Sequence, residues 1–105
     1  MELAFGDRDI RQICEDEDTA IEKYGTFVAE ALQNRLADLW AATSPKDLIV
    51  GEPTLLPDST FKVNLNNVYR LIFSANDRKI KNDSQGDLDW LSVSRIKILR
   101  IERWI

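Results

Sequence analysis

The sequence contains no histidine and only one cysteine, Cys14. Histidine is the commonest general base near neutral pH and the commonest protein ligand of transition metals, so its absence removes both of these routes to catalysis. A single cysteine cannot form an intrachain disulfide, which fits a reducing cytoplasm. We therefore expect a protein that uses neither a metal ion nor a cofactor.

The sequence also lacks a long apolar run. No stretch approaches the roughly 20 apolar residues that a membrane-spanning helix needs, and the start Met-Glu-Leu-Ala-Phe-Gly-Asp lacks the pattern of a signal peptide. We expect a cytoplasmic protein that has no membrane partner. A chain of 105 residues is enough for one domain, spanning residues 1–105, with one modest core.

Charge is divided unevenly along the chain. Residues 1–58 contain 5 Lys/Arg and 13 Asp/Glu, whereas residues 59–105 contain 9 Lys/Arg and 5 Asp/Glu. The net charge is therefore −8 in the first part and +4 in the second, within an overall −4. A basic second part is suited to binding a polyanion or an acidic partner peptide.

The acidic part has the periodicity of helices. Residues 1–5 form a short apolar run that predicts an edge strand, and Asp7 is placed to cap a first helix. Apolar residues within residues 20–39 recur at the spacing of an amphipathic helix, which Gly25 interrupts and can split in two. Residues 19–22, Thr-Ala-Ile-Glu, fit a capping box, which predicts that a helix begins there.

From residue 61 the apolar period changes from 3.6 to 2, which indicates strands. The pattern predicts strands over residues 61–65, 68–73 and 95–104, and Asn66-Asn67 predicts a tight turn, because asparagine tolerates the left-handed region. A short strand, two or three helices and about three antiparallel strands predict an α+β fold. In this fold the helices pack on one face of the sheet and leave the other face open.

The last strand is apolar on both faces, so its orientation stays open. On a regular strand Lys97 and Arg103 lie on one face and Arg100 on the other. Either Ile98 or Leu99 then faces the core, and a one-residue shift exchanges the basic residues that face solvent. The basic residues share one face only if a bulge interrupts the alternation.

Two strand segments carry a further pattern: Val-Tyr-Arg-Leu-Ile-Phe at residues 68–73 and Ile-Lys-Ile-Leu-Arg-Ile-Glu-Arg-Trp-Ile at residues 96–105. They resemble the RelE/ParE toxin superfamily, and within it the HigB-type plasmid maintenance killer proteins. Residues 28–44 are similar to the helix pair of the same group. The resemblance covers essentially the whole chain and implies an α+β fold with two to three helices on one face of a curved antiparallel sheet.

The resemblance also implies a function, the toxin component of a bacterial type II toxin–antitoxin system. HigB- and RelE-type members cleave mRNA on the translating ribosome, whereas ParE-type members inhibit DNA gyrase. The implied partners are a cognate antitoxin of the helix-turn-helix type, the ribosome and mRNA, and a homodimer is a further alternative. We favour the mRNA endoribonuclease, and the alternative is a binding protein without catalysis, either a gyrase inhibitor or an inactive relative.

The resemblance assigns a role to Arg70, and the chemistry of RNA cleavage indicates roles for further basic residues of the strands. Arg70 stands at the family's arginine in the aromatic-Arg-aliphatic strand and is expected to contact the scissile phosphate, while Lys97 and Arg100 stabilise charge. The further candidates for nucleic-acid binding are Lys62, Arg95, Arg103 and Trp104. Trp104 is expected to stack on a base, an interaction of roughly 1–3 kcal/mol. The ordinary alternative is surface charge for the basic residues and sealing of the core edge for Trp104.

The end of the chain departs from the family's pattern. Many HigB-type toxins end in an acidic-Tyr-His sequence, and here Trp104 stands at the tyrosine position and Ile105 at the histidine position. Asn64 stands where a basic residue is common. Because attack by a 2′-hydroxyl needs a proton acceptor, Glu102 or a lysine with a shifted pKa has to serve as the base. This departure favours the alternative of a binding protein without catalysis.

Overall fold

Three helices and a five-stranded mixed sheet form the two layers of the molecule, in a computed structural model that describes residues 1–104. The elements in chain order are β1 (Glu2–Phe5), α1 (Arg8–Glu15), α2 (Glu17–Tyr24), α3 (Thr26–Ala41), β2 (Thr54–Leu55), β3 (Phe61–Asn64), β4 (Tyr69–Ala75) and β5 (Arg95–Arg103). Short 3₁₀ turns occupy Pro45–Asp47 and Trp90–Ser92. The prediction of an α+β fold with two or three helices is confirmed, and the number is three.

The sheet has the strand order β1-β5-β4-β3-β2. β1 runs parallel to β5, with Glu2 opposite Arg95 and Phe5 opposite Ile98. All the other pairs of neighbouring strands in the sheet are antiparallel. The prediction of a wholly antiparallel sheet is therefore wrong at the β1 edge. The helices and the other strands separate β1 from β5 in the chain, so no hairpin turn sets their relative direction. The predicted edge strand at residues 1–5 is confirmed.

Aspartates and a glycine define the helix ends. The Asp7 carboxylate accepts a hydrogen bond from the Ile10 amide at 2.9 Å, which confirms the predicted cap. Gly25, with φ +87°, ends α2 and precedes α3, as predicted. The capping box at residues 19–22 is wrong, because Asp16 caps α2 instead and accepts from the amide of Asp18 at 3.1 Å. No helix within residues 1–104 has the length and apolar character needed to cross a bilayer.

The core lies between the helices and one face of the sheet. Aromatic rings mark its centre: Phe61 stacks on Phe73 with centroids 5.5 Å apart, and Trp90 lies 5.1 Å from Phe61. Burying each such side chain contributes about 1.5–3 kcal/mol. The main buried residues are Ile10, Ile13, Val28, Leu32 and Leu39 from the helices and Phe61, Val63, Leu71, Phe73, Ile96 and Ile98 from the strands. The sheet's opposite face remains without a covering layer of helices.

The β3–β4 connection forms at the predicted place by a different mechanism. The Asn66 side-chain oxygen accepts from the amides of Val68 and Tyr69 at 2.8 and 2.7 Å. Within residues 1–104, the residues other than glycine with positive φ are Glu52 and Ser59, so no asparagine here is left-handed. Asparagine therefore closes this loop through its side chain rather than through its backbone. The two-residue strand β2 was not predicted, because proline and glycine on both sides of it gave the segment the appearance of a loop.

Candidate nucleic-acid interface

A bulge in β5 brings its basic residues to one face. Ile72 pairs with Arg100 and Phe73 pairs with Ile98, so Leu99 is an extra residue without a partner in the ladder. Ile98 is fully buried and faces the core, while Leu99 is half-buried in the bulge. Alternation resumes one residue later, and Lys97 and Arg100 consequently share the face that points away from the helices. The buried Ile98 therefore decides the orientation of β5, which the sequence left open between Ile98 and Leu99.

We call that surface the open face, and define it by Lys62, Asn64, Arg70, Ile72, Ser74, Lys97, Arg100 and Glu102. The strand register sets its rows: Asn64–Arg70–Glu102, then Lys62–Ile72–Arg100, then Ser74–Lys97. The three predicted catalytic residues thus occupy three successive rows of β4 and β5. Ile72 is fully buried although it lies outside the helix-side core cluster. It is flanked by Lys62 and Arg100, whose methylene stems are suited to cover it.

Glu102 joins the two arginines of the open face. Its Oε1 accepts from Nε of Arg70 at 2.9 Å and lies 2.8 Å from Nη2 of Arg70, and its Oε2 accepts from Nε of Arg100 at 3.0 Å. The hydrogen bond from Arg100, together with that from Arg70, holds the pKa of Glu102 below its usual range, although partial burial raises it. Glu102 is therefore ionised at neutral pH and, in this arrangement, is a weak base.

Both guanidinium groups keep free donors. An arginine has five N–H donors in a planar fork, and among residues 1–104 the contacts of Arg70 and Arg100 with Glu102 use only some of them. The two side chains are partly exposed, with 25% and 48% of their surface accessible. An anion approaching the open face can therefore bind both arginines, sharing them with Glu102 or replacing it.

A second chain of polar contacts fixes Lys62. Its Nζ donates to Oδ1 of Asn64 at 3.0 Å, and Nδ2 of Asn64 donates to Oε2 of Glu52 at 3.2 Å. Asn64 therefore holds the ammonium group of the neighbouring Lys62 in place. The period-2 pattern places Asn64 on the Lys62 face, but nothing in the sequence brings in Glu52 from 12 residues away.

Trp104 lies at the rim of the open face beside Lys62. Its backbone amide donates to the Val68 carbonyl at 2.9 Å, and its indole Nε1 donates to the Asn66 carbonyl at 3.4 Å. The Nζ of Lys62 lies 6.0 Å from the centroid of the ring, which remains 41% exposed. An aromatic ring held next to cations is suited to stack a nucleobase. The neighbouring position, Ile105, lies outside the described residues.

The two remaining candidates lie apart from this cluster. Arg95 is at the other end of β5, where its Nε lies 2.7 Å from a carboxylate oxygen of Glu2. Arg103 pairs with Tyr69, in a row that faces the helix side, and its side chain is exposed. The structure therefore brings together Lys62, Arg70, Lys97, Arg100 and Trp104, and leaves Arg95 and Arg103 at the margins.

Neither a metal site nor a known relative adds to this geometry. Within the described part of the chain, no group of three or more His, Cys, Asp or Glu side chains is arranged to hold a metal ion. No protein-family model, curated protein or solved structure matches the chain.

Proposed function

We propose that this protein is the toxin of a bacterial type II toxin–antitoxin pair, with a RelE/ParE-like fold of the HigB type, and that it cleaves mRNA on the ribosome. The observation that carries the proposal is the alignment of Arg70, Lys97 and Arg100 on the open face by the bulge at Leu99. The resemblance of residues 68–73 and 96–105 to HigB-type toxins supplies the reaction and the partners. A cognate antitoxin would neutralise the protein in the cytoplasm.

In this proposal the open face binds the RNA backbone. Guanidinium groups bind phosphate in a planar, bidentate manner, which suits Arg70 and Arg100 to the scissile phosphate. Lys97 lies in a neighbouring row and compensates the charge that develops on the leaving oxygen. Trp104 stacks on a base at the rim, where the Nζ of Lys62 lies 6.0 Å from the centroid of its ring.

The cleavage step is attack of the 2′-hydroxyl on the adjacent phosphorus. The bond from the 2′ oxygen to phosphorus forms and the bond from phosphorus to the 5′ oxygen breaks. The leaving 5′ oxygen takes a proton from water, and the products are a 2′,3′-cyclic phosphate and a 5′-hydroxyl end. Glu102 accepts the proton of the 2′-hydroxyl after the phosphate has replaced it between the arginines. Separation from the guanidinium groups removes the cause of its lowered pKa and makes it a better base.

Dependence on the ribosome follows from the same chemistry. A carboxylate is a weaker general base than histidine near pH 7, so the chemical step depends strongly on how the RNA is positioned. The ribosome holds mRNA in a defined conformation, which supplies the orientation that the small open face lacks.

One observation favours a second candidate function, a binding protein without catalysis. Glu102 engages both arginines, and the protein has no histidine that could replace it as the base. In that case the same surface binds an antitoxin or gyrase and leaves RNA intact.

Induced expression in bacteria tests the proposal. We expect growth arrest by the unmodified protein and recovery of growth with Arg70→Ala, because this change removes the central phosphate ligand. Arg11→Ala is the matched control, since it removes an arginine that also pairs with a glutamate, on the exposed surface of α1. Equal toxicity of Arg70→Ala and the unmodified protein would contradict the assignment of Arg70. Arrest with intact mRNA and blocked DNA replication would support the second candidate.

A further inference from the structure

A second basic surface lies at the far end of β5, outside the cluster around Glu102. There the chain that leaves β4 passes beside Arg95 and forms a shallow cleft of about 490 Å³. The residues that line this cleft are Asp77, Arg78, Lys79 and Arg95. Three of these four residues are cations, in a protein whose overall charge is negative.

The one acid of the cleft has a structural role. The Asp77 carboxylate accepts hydrogen bonds from the Arg95 amide at 2.9 Å and from the amide and hydroxyl of Ser94 at 3.2 and 3.0 Å. Burial raises the pKa of Asp77, but these hydrogen bonds outweigh it and leave the pKa below its usual range. Asp77 therefore fastens the start of the loop to β5, and the charges of Arg78 and Lys79 are left for another anion.

Arg78 and Lys79 differ in this respect from the arginines of the open face. Both are exposed, and within residues 1–104 neither forms a salt bridge, whereas Arg70 and Arg100 share Glu102. Arg95 pairs with Glu2 across the β1–β5 ladder, which fixes the floor of the cleft. The loop thus presents two unneutralised cations at a position that Asp77 defines.

The cleft continues the open face. Arg95 and Lys97 flank the fully buried Ile96, so their side chains leave β5 on the same side as Arg100. At roughly 3.3 Å per residue, Arg95 lies about 16 Å from Arg100 along the strand. A line of cations therefore runs from the two arginines through Lys97 to the cleft.

We propose that the cleft formed by Arg78, Lys79 and Arg95 binds the phosphodiester backbone of RNA several nucleotides away from the scissile phosphate. The inference rests on the proposed function, because it takes RNA as the ligand of the open face. A polyanion with regularly spaced charges fits a line of cations along one strand, whereas a single small anion would occupy only one end. The cleft extends the RNA-binding site and increases affinity for strands that are long enough to reach it.

The test uses the purified full chain and two RNA probes, a labelled strand of twelve nucleotides and an unlabelled dinucleotide that competes with it. The double variant Arg78→Ala/Lys79→Ala is compared with Arg8→Ala/Lys23→Ala, which removes the same charge from exposed positions on α1 and α2. We expect the cleft variant to bind the long strand about tenfold more weakly, with the slope of log K against log salt reduced by about 1.4, at roughly 0.7 for each lost phosphate contact. Dinucleotide affinity and control-variant binding should match the unmodified protein.

Two results would overturn the inference. If the cleft variant keeps the affinity and salt slope of the unmodified protein, or loses no more than the control variant, the cleft does not bind RNA. Arg70→Ala distinguishes this result from failure of the proposed function. If Arg70→Ala loses RNA binding while the cleft variant keeps it, only the proposal for the cleft is contradicted. If the unmodified protein does not bind the long strand at all, both proposals fail.

Discussion

At the scale of single residues, Glu102 decides how the open face behaves. Without it, Arg70 and Arg100 would repel each other across neighbouring rows of the sheet, and with it they are ordered by three contacts of 2.8 to 3.0 Å. The carboxylate also competes with phosphate for the same donors. One residue therefore orders both arginines and, in the proposed function, limits their affinity for RNA.

Glu102→Gln is predicted to separate binding from cleavage. Removing the charge releases the guanidinium groups, so we expect RNA affinity to rise about threefold to tenfold, consistent with roughly 1 kcal/mol for a partly exposed ion pair. Cleavage should fall, because the proton acceptor is lost. Both quantities are measured on the purified variant, with RNA binding by anisotropy and cleavage on translating ribosomes.

Glu15→Gln is the matched control, since it removes the same charge from a glutamate that pairs with an arginine on the exposed surface of α1, outside the open face. An unchanged or lower RNA affinity in Glu102→Gln would contradict the role of Glu102 as a competitor of phosphate.

The pH dependence of stability provides a second test of Glu102. Its folded pKa is lowered by hydrogen bonds from Arg100 and Arg70, so its contribution to the free energy of unfolding is fully present above the unfolded value of about 4.3. The contribution is lost as the pH falls through the folded pKa. We expect the difference in urea stability between the unmodified protein and Glu102→Gln to shrink steadily below about pH 4.3. A difference that stays constant or widens on acidification would show that Glu102 is not stabilised by the arginines.

The residue types in the sequence were sufficient to select Arg70, Arg100 and Trp104 as candidates. They were not sufficient to identify the residues that contact these side chains. Arg70 and Lys62 belong to strands with clear alternation, so their shared face follows from the pattern. The pairing of Arg70 with Glu102 depends on contacts across 32 residues. Local pattern carries no information about such a distance, which is why Glu102 was considered as a base and not as a ligand of both arginines.

At the scale of elements, the bulge in β5 is the feature that creates the site. The ten residues of the last segment predict a strand, and alternation alone would place Lys97 and Arg100 on opposite faces. The unpaired Leu99 shifts the alternation by one residue, so that Arg100 lies on the same face as Lys97. The sequence permitted a bulge but did not locate it.

Deletion of Leu99 is predicted to leave a folded protein. With the extra residue removed, Lys97, Arg100 and Glu102 alternate regularly with Ile98 and Ile101, so no side chain changes face. We expect a loss of at most about 2 kcal/mol in the free energy of unfolding by urea.

Deletion of Ile101 is the control, because it turns Glu102 toward the core side of the sheet. The deletion should therefore cost about 4 kcal/mol or more, through burial of an unpaired charge. If deletion of Leu99 lowered the free energy of unfolding as much as deletion of Ile101, removing the bulge residue would not leave the other side chains on their faces. That result would contradict the role given to the bulge.

Predictions for the other elements succeeded where the signal was local. Asp7, Gly25 and the period-2 strands marked their elements correctly, because caps, glycine and alternation act over a few residues. The capping box failed because Asp16 caps α2 three residues earlier, which places Thr19 inside the helix, where its hydroxyl donates to the Asp16 carboxylate. The parallel direction of β1 is a property of the whole chain path and has no local signature.

At the scale of the whole molecule, the division of charge in the sequence becomes a division between layers. The acidic first part supplies the three helices, and the basic second part supplies β3, β4 and β5 with the open face. A molecule with an anionic helix layer and a cationic sheet face is oriented by an RNA backbone before contact. We therefore expect association with RNA to depend strongly on ionic strength although the pI is about 4.8.

The most direct measurement of the central claim is a map of mRNA 5′ ends during induced expression, read in the same cultures as growth. We expect new ends with a fixed phase relative to codons, present with the unmodified protein and with Arg11→Ala, and absent with Arg70→Ala. Growth arrest without new ends, or new ends that persist with Arg70→Ala, would contradict cleavage of mRNA at the open face.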